Sequence, residues 1–161
     1  MRKILLINRK KCTGCNECML ICSLIHYGES SLARSRIFIN KKEDTMDFVP
    51  TKCVLCWEKP CIEACPAECL SYDETIGIIK CDEKNCIIGC GTCMDACPHY
   101  GIRMDKLSNK PLICDMCGGE PSCAKVCLSK AIITKEYSKK NEEEKLSLVS
   151  EIDQSIKKIK G

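Results

Sequence analysis

The apolar positions of this chain come in short groups. Residues 3–8, Lys-Ile-Leu-Leu-Ile-Asn, are an apolar run bounded by charge and predict a strand. Ile37-Phe-Ile-Asn40 predicts a second one, with residues 23–36 between them reading as a polar connector. Residues 41–47 read as a charged turn, from which Phe48-Val49-Pro50 leads on. Ala67–Asp73, Tyr100–Asp105 and Leu128–Thr134 each read as a turn followed by a short alternating strand. The last group differs. Leu146, Val149, Ile152, Ile156 and Ile159 step by three and four residues, the period of an amphipathic helix. The preceding charge run, residues 139–145, reads as a solvated linker. Two readings of the helix stand side by side: packed back on its own domain, or docked on a partner subunit.

Cysteine fills the spaces between these groups. Run one is Cys12-x₂-Cys15-x₂-Cys18-x₃-Cys22, the spacing of a bacterial-type [4Fe–4S] site. Three thiolates on a tight loop, helped by Gly14, wrap one cubane, and the fourth points towards a different cluster, so a partner run is expected. Three more exist. Run two is Cys53-x₂-Cys56-x₄-Cys61-x₃-Cys65, run three Cys86-x₃-Cys90-x₂-Cys93-x₃-Cys97, and run four Cys114-x₂-Cys117-x₅-Cys123-x₃-Cys127. Loop, short helix, turn and strand thus recur four times, an internal repeat whose units bury too little alone and should pair about their clusters.

Composition supports metal over the alternatives. The 161 residues, room for one compact domain or two small ones, include eighteen Cys but only one Trp, four Tyr and two Phe, so the chain needs staples. Disulfides would suit a secreted chain, but the N-terminal segment has too short an apolar stretch for a signal peptide. With no run of transmembrane length, the expectation is a cytoplasmic protein with reduced thiols and no direct membrane insertion. Structural zinc prefers two well-separated C-x₂-C knuckles, whereas here the third cysteine of each run follows the second closely. Four complete quartets predict four [4Fe–4S] clusters and argue against a [3Fe–4S] centre. Each cluster with its thiolates carries roughly −2, which turns the formal +3 into about −5. No nucleic-acid partner is expected.

Run three is irregular. Cys86-Ile-Ile-Gly-Cys90 is one residue longer than the usual step, so either the loop bulges or Cys81 substitutes; Cys86 is favoured. Cys69 and Cys81 are then left over and read as buried free thiols, outside the ligand set. His26 and His99 are candidates to tune a cluster by hydrogen bonding to sulfur. Trp57 is expected to shield a cluster from water, and Arg34 and Arg36 to be solvated surface or partner contacts.

These runs, in this order, resemble the four-cluster ferredoxin-like electron-transfer subunits of anaerobic oxidoreductases, a group that includes the iron–sulfur subunits of the dimethyl sulfoxide reductase and formate dehydrogenase families. Ile21-Cys-Ser-Leu-Ile-His-Tyr-Gly-Glu29, Ser35-Arg36-Ile37 and Cys114-Asp-Met-Cys117-Gly-Gly-Glu-Pro-Ser-Cys123 are closer to the subunits serving aldehyde:ferredoxin oxidoreductases and carbon monoxide dehydrogenases. The resemblance covers roughly residues 3–134. Departures are the Cys86–Cys90 loop, Leu128 where Pro is usual, and Cys69 where a small residue is usual. It implies that run one pairs with run four and run two with run three, each pair exchanging its last cysteine. The implied sets are Cys12, Cys15, Cys18 and Cys127; Cys53, Cys56, Cys61 and Cys97; Cys86, Cys90, Cys93 and Cys65; and Cys114, Cys117, Cys123 and Cys22.

The fold expected is α+β: two pseudo-symmetric bacterial-ferredoxin-like units of short β-hairpins, small helices and long loops, one inserted in the other. Residues 1–52 and 108–135 form the outer unit, 53–107 the inserted one, and 136–161 the linker and C-terminal helix. The sequence has no nucleophile–base set, phosphate loop or dinucleotide fingerprint, so the chain is read as an electron wire, not an enzyme on its own. Expected partners are a large catalytic oxidoreductase subunit (aldehyde oxidoreductase, carbon monoxide dehydrogenase, formate dehydrogenase or hydrogenase type) and ferredoxin or a flavoprotein or hydrogenase subunit. Rival readings are a free polyferredoxin shuttle, a catalytic or redox-sensing cluster involving Cys69 or Cys81, and an architectural subunit.

Overall fold

The N-terminal apolar run forms β1 (Lys3–Ile7), and its partner comes from far along the chain. That partner is β8 (Ile132–Glu136), antiparallel, with Leu5 opposite Thr134 and Ile7 opposite Ile132. This computed structural model describes residues 2–42 and 46–160, so residues 43–45 of the expected charged turn lie outside the described residues. Three further antiparallel ribbons are β2 (Ile37–Lys42) with β3 (Asp47–Lys52), β4 (Leu70–Asp73) with β5 (Ile78–Cys81), and β6 (Arg103–Met104) with β7 (Pro111–Leu112). The helices are α1 (Glu17–Tyr27), α2 (Pro60–Glu63), α3 (Thr92–Asp95), α4 (Ser122–Val126) and α5 (Lys139–Lys160). The architecture is α+β, built of short hairpins and small helices as expected.

Several boundaries differ from expectation. The connector expected from Ser23 is helix as far as Tyr27, because its polar side chains have local uses. The Ser23 hydroxyl donates to the Leu20 carbonyl at 3.0 Å and accepts from the Ser31 N–H at 2.8 Å. Gly28, at φ 71°, then ends the helix, its N–H bonding the Leu24 carbonyl. The β3 strand was hidden by Pro50, which a two-stranded ribbon tolerates because each strand has an edge free of the ladder.

The charge run is not a linker. It forms the first turns of α5, where the Ser138 hydroxyl accepts the Asn141 N–H and Lys145 pairs with Glu142. The helix packs on its own chain, as the first of its two readings had it. Val149, Ile152 and Ile156 are buried, and Ile152 and Ile156 join Leu5, Ile7, Ile37, Phe38 and Val49 in one core. His99 Nδ1 and Asp153 Oδ2, 2.8 Å apart, tie the segment after run three to the same helix. A second core holds Leu70, Ile79, Ile102 and Ile113. Cysteines sit in both: Cys18, Cys22 and Cys123 in the first, Cys53, Cys61, Cys69, Cys93 and Cys114 in the second. Among the described residues no helix is long and apolar enough to cross a membrane.

Candidate iron–sulfur sites

The cysteines gather in groups that mix runs. Burial pushes the Cys18 thiol up to about 12, and Cys12, Cys15 and Cys127 are close enough to add to the shift. The Cys12 thiol is raised too, by burial and by Cys15 and Cys127, against a hydrogen bond from the Gly14 N–H. The loop turns at Gly14, φ +70°, where an added Cβ would lie 2.5 Å from the Phe48 ring. Cys127 sulfur accepts the Ile132 N–H at 3.4 Å.

The second group joins run four to the end of run one. The Cys123 thiol is raised by burial and by Cys114, Cys117 and Cys22. Cys22 is shifted the other way: burial is outweighed by hydrogen bonds from His26 and from the Arg36 N–H, the latter at 3.4 Å. His26 is held by Asp115, with Nε2 2.9 Å from Oδ1, and Nδ1 lies 2.8 Å from the Cys22 carbonyl. Arg36 Nη1 donates to Asp115 at 2.6 Å, and the Cys117 N–H donates to the same carboxylate at 2.9 Å. The bond to Asp115, then that to Cys22, raises His26 to about 11. Burial would push Asp115 up, but His26 and Arg36 prevail and lower it to about 2.

Run two gathers with the last cysteine of run three. Burial, then Cys56 and Cys97, push Cys61 up to about 11. The Gly101 N–H donates to Cys97 sulfur at 3.3 Å. A Cβ at Gly101 would lie 2.6 Å from the Lys52 carbonyl oxygen, so only glycine lets this segment lie against the start of run two. In run three, burial and the nearness of Cys90, Cys61 and Cys86 push Cys93 up to about 12. A small pocket beside it is lined by Cys65, Cys69, Cys86, Cys90 and Cys93.

Contacts between groups set their order. Cys18 and Cys22 are one turn apart on α1, which packs on α4 between Cys123 and Cys127. Cys114 acts on Cys53, and Cys61 on Cys93. The groups therefore form a line: run one, run four, run two, run three. Cys15 and Cys90, in the two end groups, are the exposed cysteines; all the others are buried or half-buried.

This donor set fits iron–sulfur clusters. Each group offers thiols together with backbone N–H groups aimed at sulfur, and mutual repulsion raises several thiols until a cation relieves it. Other expectations fare differently. Trp57 is 86 % exposed and shields nothing, because its side chain lies out under Lys59, whose Nζ is 5.7 Å from the ring centroid. His99 serves α5 rather than a sulfur, while His26 does reach Cys22. Arg36 is half-buried beside Cys22; Arg34 pairs with Asp105 and Glu29. Asp115 was missed, although an acid beside a run-four cysteine, matched to a histidine four residues after the last cysteine of run one, was a readable signal.

The family described as "4Fe-4S dicluster domain" matches residues 44–137. The chain belongs to that family, and is an iron–sulfur electron-transfer subunit of the kind that oxidoreductase complexes carry. It is 40 % identical over 123 residues to the polyferredoxin-like subunit of the aliphatic sulfonate oxidoreductase of Pyrococcus furiosus, covering 76 % of this chain and 70 % of that one. It is 36 % identical over 119 residues to the beta subunit of the NADH-dependent phenylglyoxylate dehydrogenase of Aromatoleum evansii, covering 73 % of this chain but 26 % of that one. Among solved structures, a chain of the BamBC complex of benzoyl coenzyme A reductase with benzoyl-CoA matches with a TM-score of 0.45 and 23 % identity, covering 92 % of this chain and 89 % of that one.

Proposed function

We propose that the chain relays single electrons through four [4Fe–4S] clusters between a catalytic oxidoreductase subunit and ferredoxin or another redox partner. The ligand sets are Cys12, Cys15, Cys18 and Cys127; Cys114, Cys117, Cys123 and Cys22; Cys53, Cys56, Cys61 and Cys97; and Cys65, Cys86, Cys90 and Cys93. Bound there, the clusters supply one-electron steps at low potential. What carries the reading is the line of thiol groups with an exposed cysteine at each end, Cys15 and Cys90, as a relay with two partners requires.

The chain's own residues hold and tune. N–H donors from Arg36, Gly101 and Ile132 stabilise negative charge on Cys22, Cys97 and Cys127. The His26–Asp115–Arg36 set places net positive charge beside Cys22 and favours the reduced state of its cluster. Residues 1–52 and 108–135 would form the outer unit and 53–107 the inserted one; the β1–β8 pairing supports that division, while Ile78 in the first core and Ile113 and Cys114 in the second knit the two units together. Dense reduced thiols suit the cytoplasm.

Iron and sulfide analysis of anaerobically purified protein tests the count, with about sixteen irons per chain expected and far fewer refuting it. The partner proposed is a large catalytic oxidoreductase subunit, a reading supported by relatives that are themselves named as subunits of oxidoreductases. The second reading, a free shuttle, gains from α5 folding back on its own chain instead of waiting for a partner. Co-purification with a large subunit decides between them.

A further inference from the structure

The run-three group holds more sulfur than one cluster uses. The sulfurs of Cys69, Cys81 and Cys86 all lie within 4.8 Å of one another. Cys69 sulfur is also 3.4 Å from that of Cys65. None of the other three groups has a spare cysteine. The local fold explains the crowding. Strand β5 ends at Cys81, and Asp82 reverses the chain: its side chain accepts the Lys84 N–H at 3.0 Å, and its carbonyl accepts the Asn85 N–H at 3.2 Å. Asp82 N–H bonds the Cys69 carbonyl at 2.8 Å, fixing the turn against β4. The chain therefore returns Cys86 alongside Cys81, their sulfurs within 4.8 Å of each other and of that of Cys69.

Cys86 is also the ligand with the least regular tether. Three residues separate it from Cys90 where two are usual, and the extra length is taken up near Gly89, at φ +77°, whose N–H bonds the Asn109 carbonyl at 2.9 Å. Cys81, by contrast, stands at the end of a paired strand, with Leu70 as its cross-strand partner.

We propose that Cys81 and Cys86 are exchangeable ligands of the run-three cluster, either one completing the set with Cys90, Cys93 and Cys65. This rests on the four-cluster reading above. The exchange is a thiolate substitution at one iron. The Cys81–iron bond forms as the Cys86–iron bond breaks, and the proton leaving Cys81 sulfur goes to Cys86 sulfur. No electron is gained or lost. Cys69, whose sulfur lies 3.4 Å from that of Cys65, is assigned no part in the exchange, and the double variant, which leaves Cys69 in place, tests that assignment.

The test uses the full chain, purified anaerobically, as wild type, Cys81→Ala, Cys86→Ala, the double variant and Cys93→Ala. Iron per chain and the EPR spin integral after dithionite reduction are measured. Wild type and both single variants are expected to hold about sixteen irons, with the singles differing from each other in the line shape of one cluster. The double variant is expected to match Cys93→Ala, short by up to one cluster or converted to a three-iron form at that site. Cys86→Ala already short of iron, or insoluble where Cys81→Ala is not, overturns the exchange. So does a double variant that keeps all its iron. Wild-type protein well below sixteen irons is a separate failure, which removes the four-cluster reading and the exchange with it.

Discussion

Ile156→Ala tests what the C-terminal helix packs against. Ile156 is 1 % exposed and belongs to the core formed with β1 and β2. The substitution removes three buried carbons, about 2.4 kcal/mol at ~0.8 kcal/mol per methylene. The cavity left behind raises the cost to about 3–4 kcal/mol, within the range for such truncations. If α5 opens as a local unit, that energy multiplies its open population by a few hundred-fold, at about 1.4 kcal/mol per factor of ten. Amide hydrogen exchange of cluster-loaded, anaerobic protein reads this directly, as lost protection across residues 139–160 with the EPR spectra of the clusters unchanged. Leu146→Ala is the control. At 55 % exposure it should change protection by less than about 0.5 kcal/mol, although it would weaken any partner seated on the helix's outer face. Unchanged protection in Ile156→Ala, or a larger loss in Leu146→Ala, would refute the packing described here.

Three further outcomes are expected. Cys22→Ser should damage the cluster of Cys114, Cys117 and Cys123 and spare that of Cys12, Cys15 and Cys18; loss of the run-one EPR signal instead would show the interleaved pairing to be wrong. Gly14→Ala forces a left-handed backbone at about 1–2 kcal/mol and drives a methyl against the Phe48 ring, so the run-one cluster should be under-filled and the thermal midpoint lowered. Asp153→Asn should weaken the 2.8 Å contact with His99 by roughly 1 kcal/mol and loosen α5 without altering iron content, measured by the same exchange experiment.

Legibility in the sequence followed the length over which a pattern acts. The cysteine spacing acts over a few residues, so the cysteine runs were readable. So was the periodicity of Val149, Ile152 and Ile156, though not what it faced, because an apolar stripe is the same whether a partner or β1 covers it. Strand β3 was missed because Pro50 breaks the alternation, and a ribbon edge tolerates it. Strands β5 and β7 were missed because Ile78–Cys81 and Pro111–Leu112 precede cysteine runs, whereas the equally short β4 and β6 were read from their repeated place after one. The charge run at 139–145 looked like a linker because the local signal is composition; its helicity comes from the Ser138 cap and the docked turns that follow. Trp57 was misjudged because adjacency to a cysteine says nothing about which way a side chain leaves the loop.

Where the cysteines lie in the core decides what cluster loss should do. Among the described residues the second core has only four fully buried aliphatic members, Leu70, Ile79, Ile102 and Ile113, with Leu55 and Ile62 half-buried against them; its other buried members are cysteines, four of them proposed ligands. A core that thin cannot order the surrounding loops by apolar burial alone. Bound iron must then supply folding energy directly, as structural metals do. The first core is different: β1, β2, β3 and α5 contribute Leu5, Ile7, Ile37, Phe38, Val49, Ile152 and Ile156, enough to leave residual order. Stripping the clusters with chelator and oxidant should therefore melt residues 53–107 first. Amide exchange of the stripped protein should show that segment unprotected while β1 and α5 keep partial protection. Uniform collapse would mean that the outer core also depends on its clusters, and uniform retention would mean that the thiols are held by the polypeptide alone.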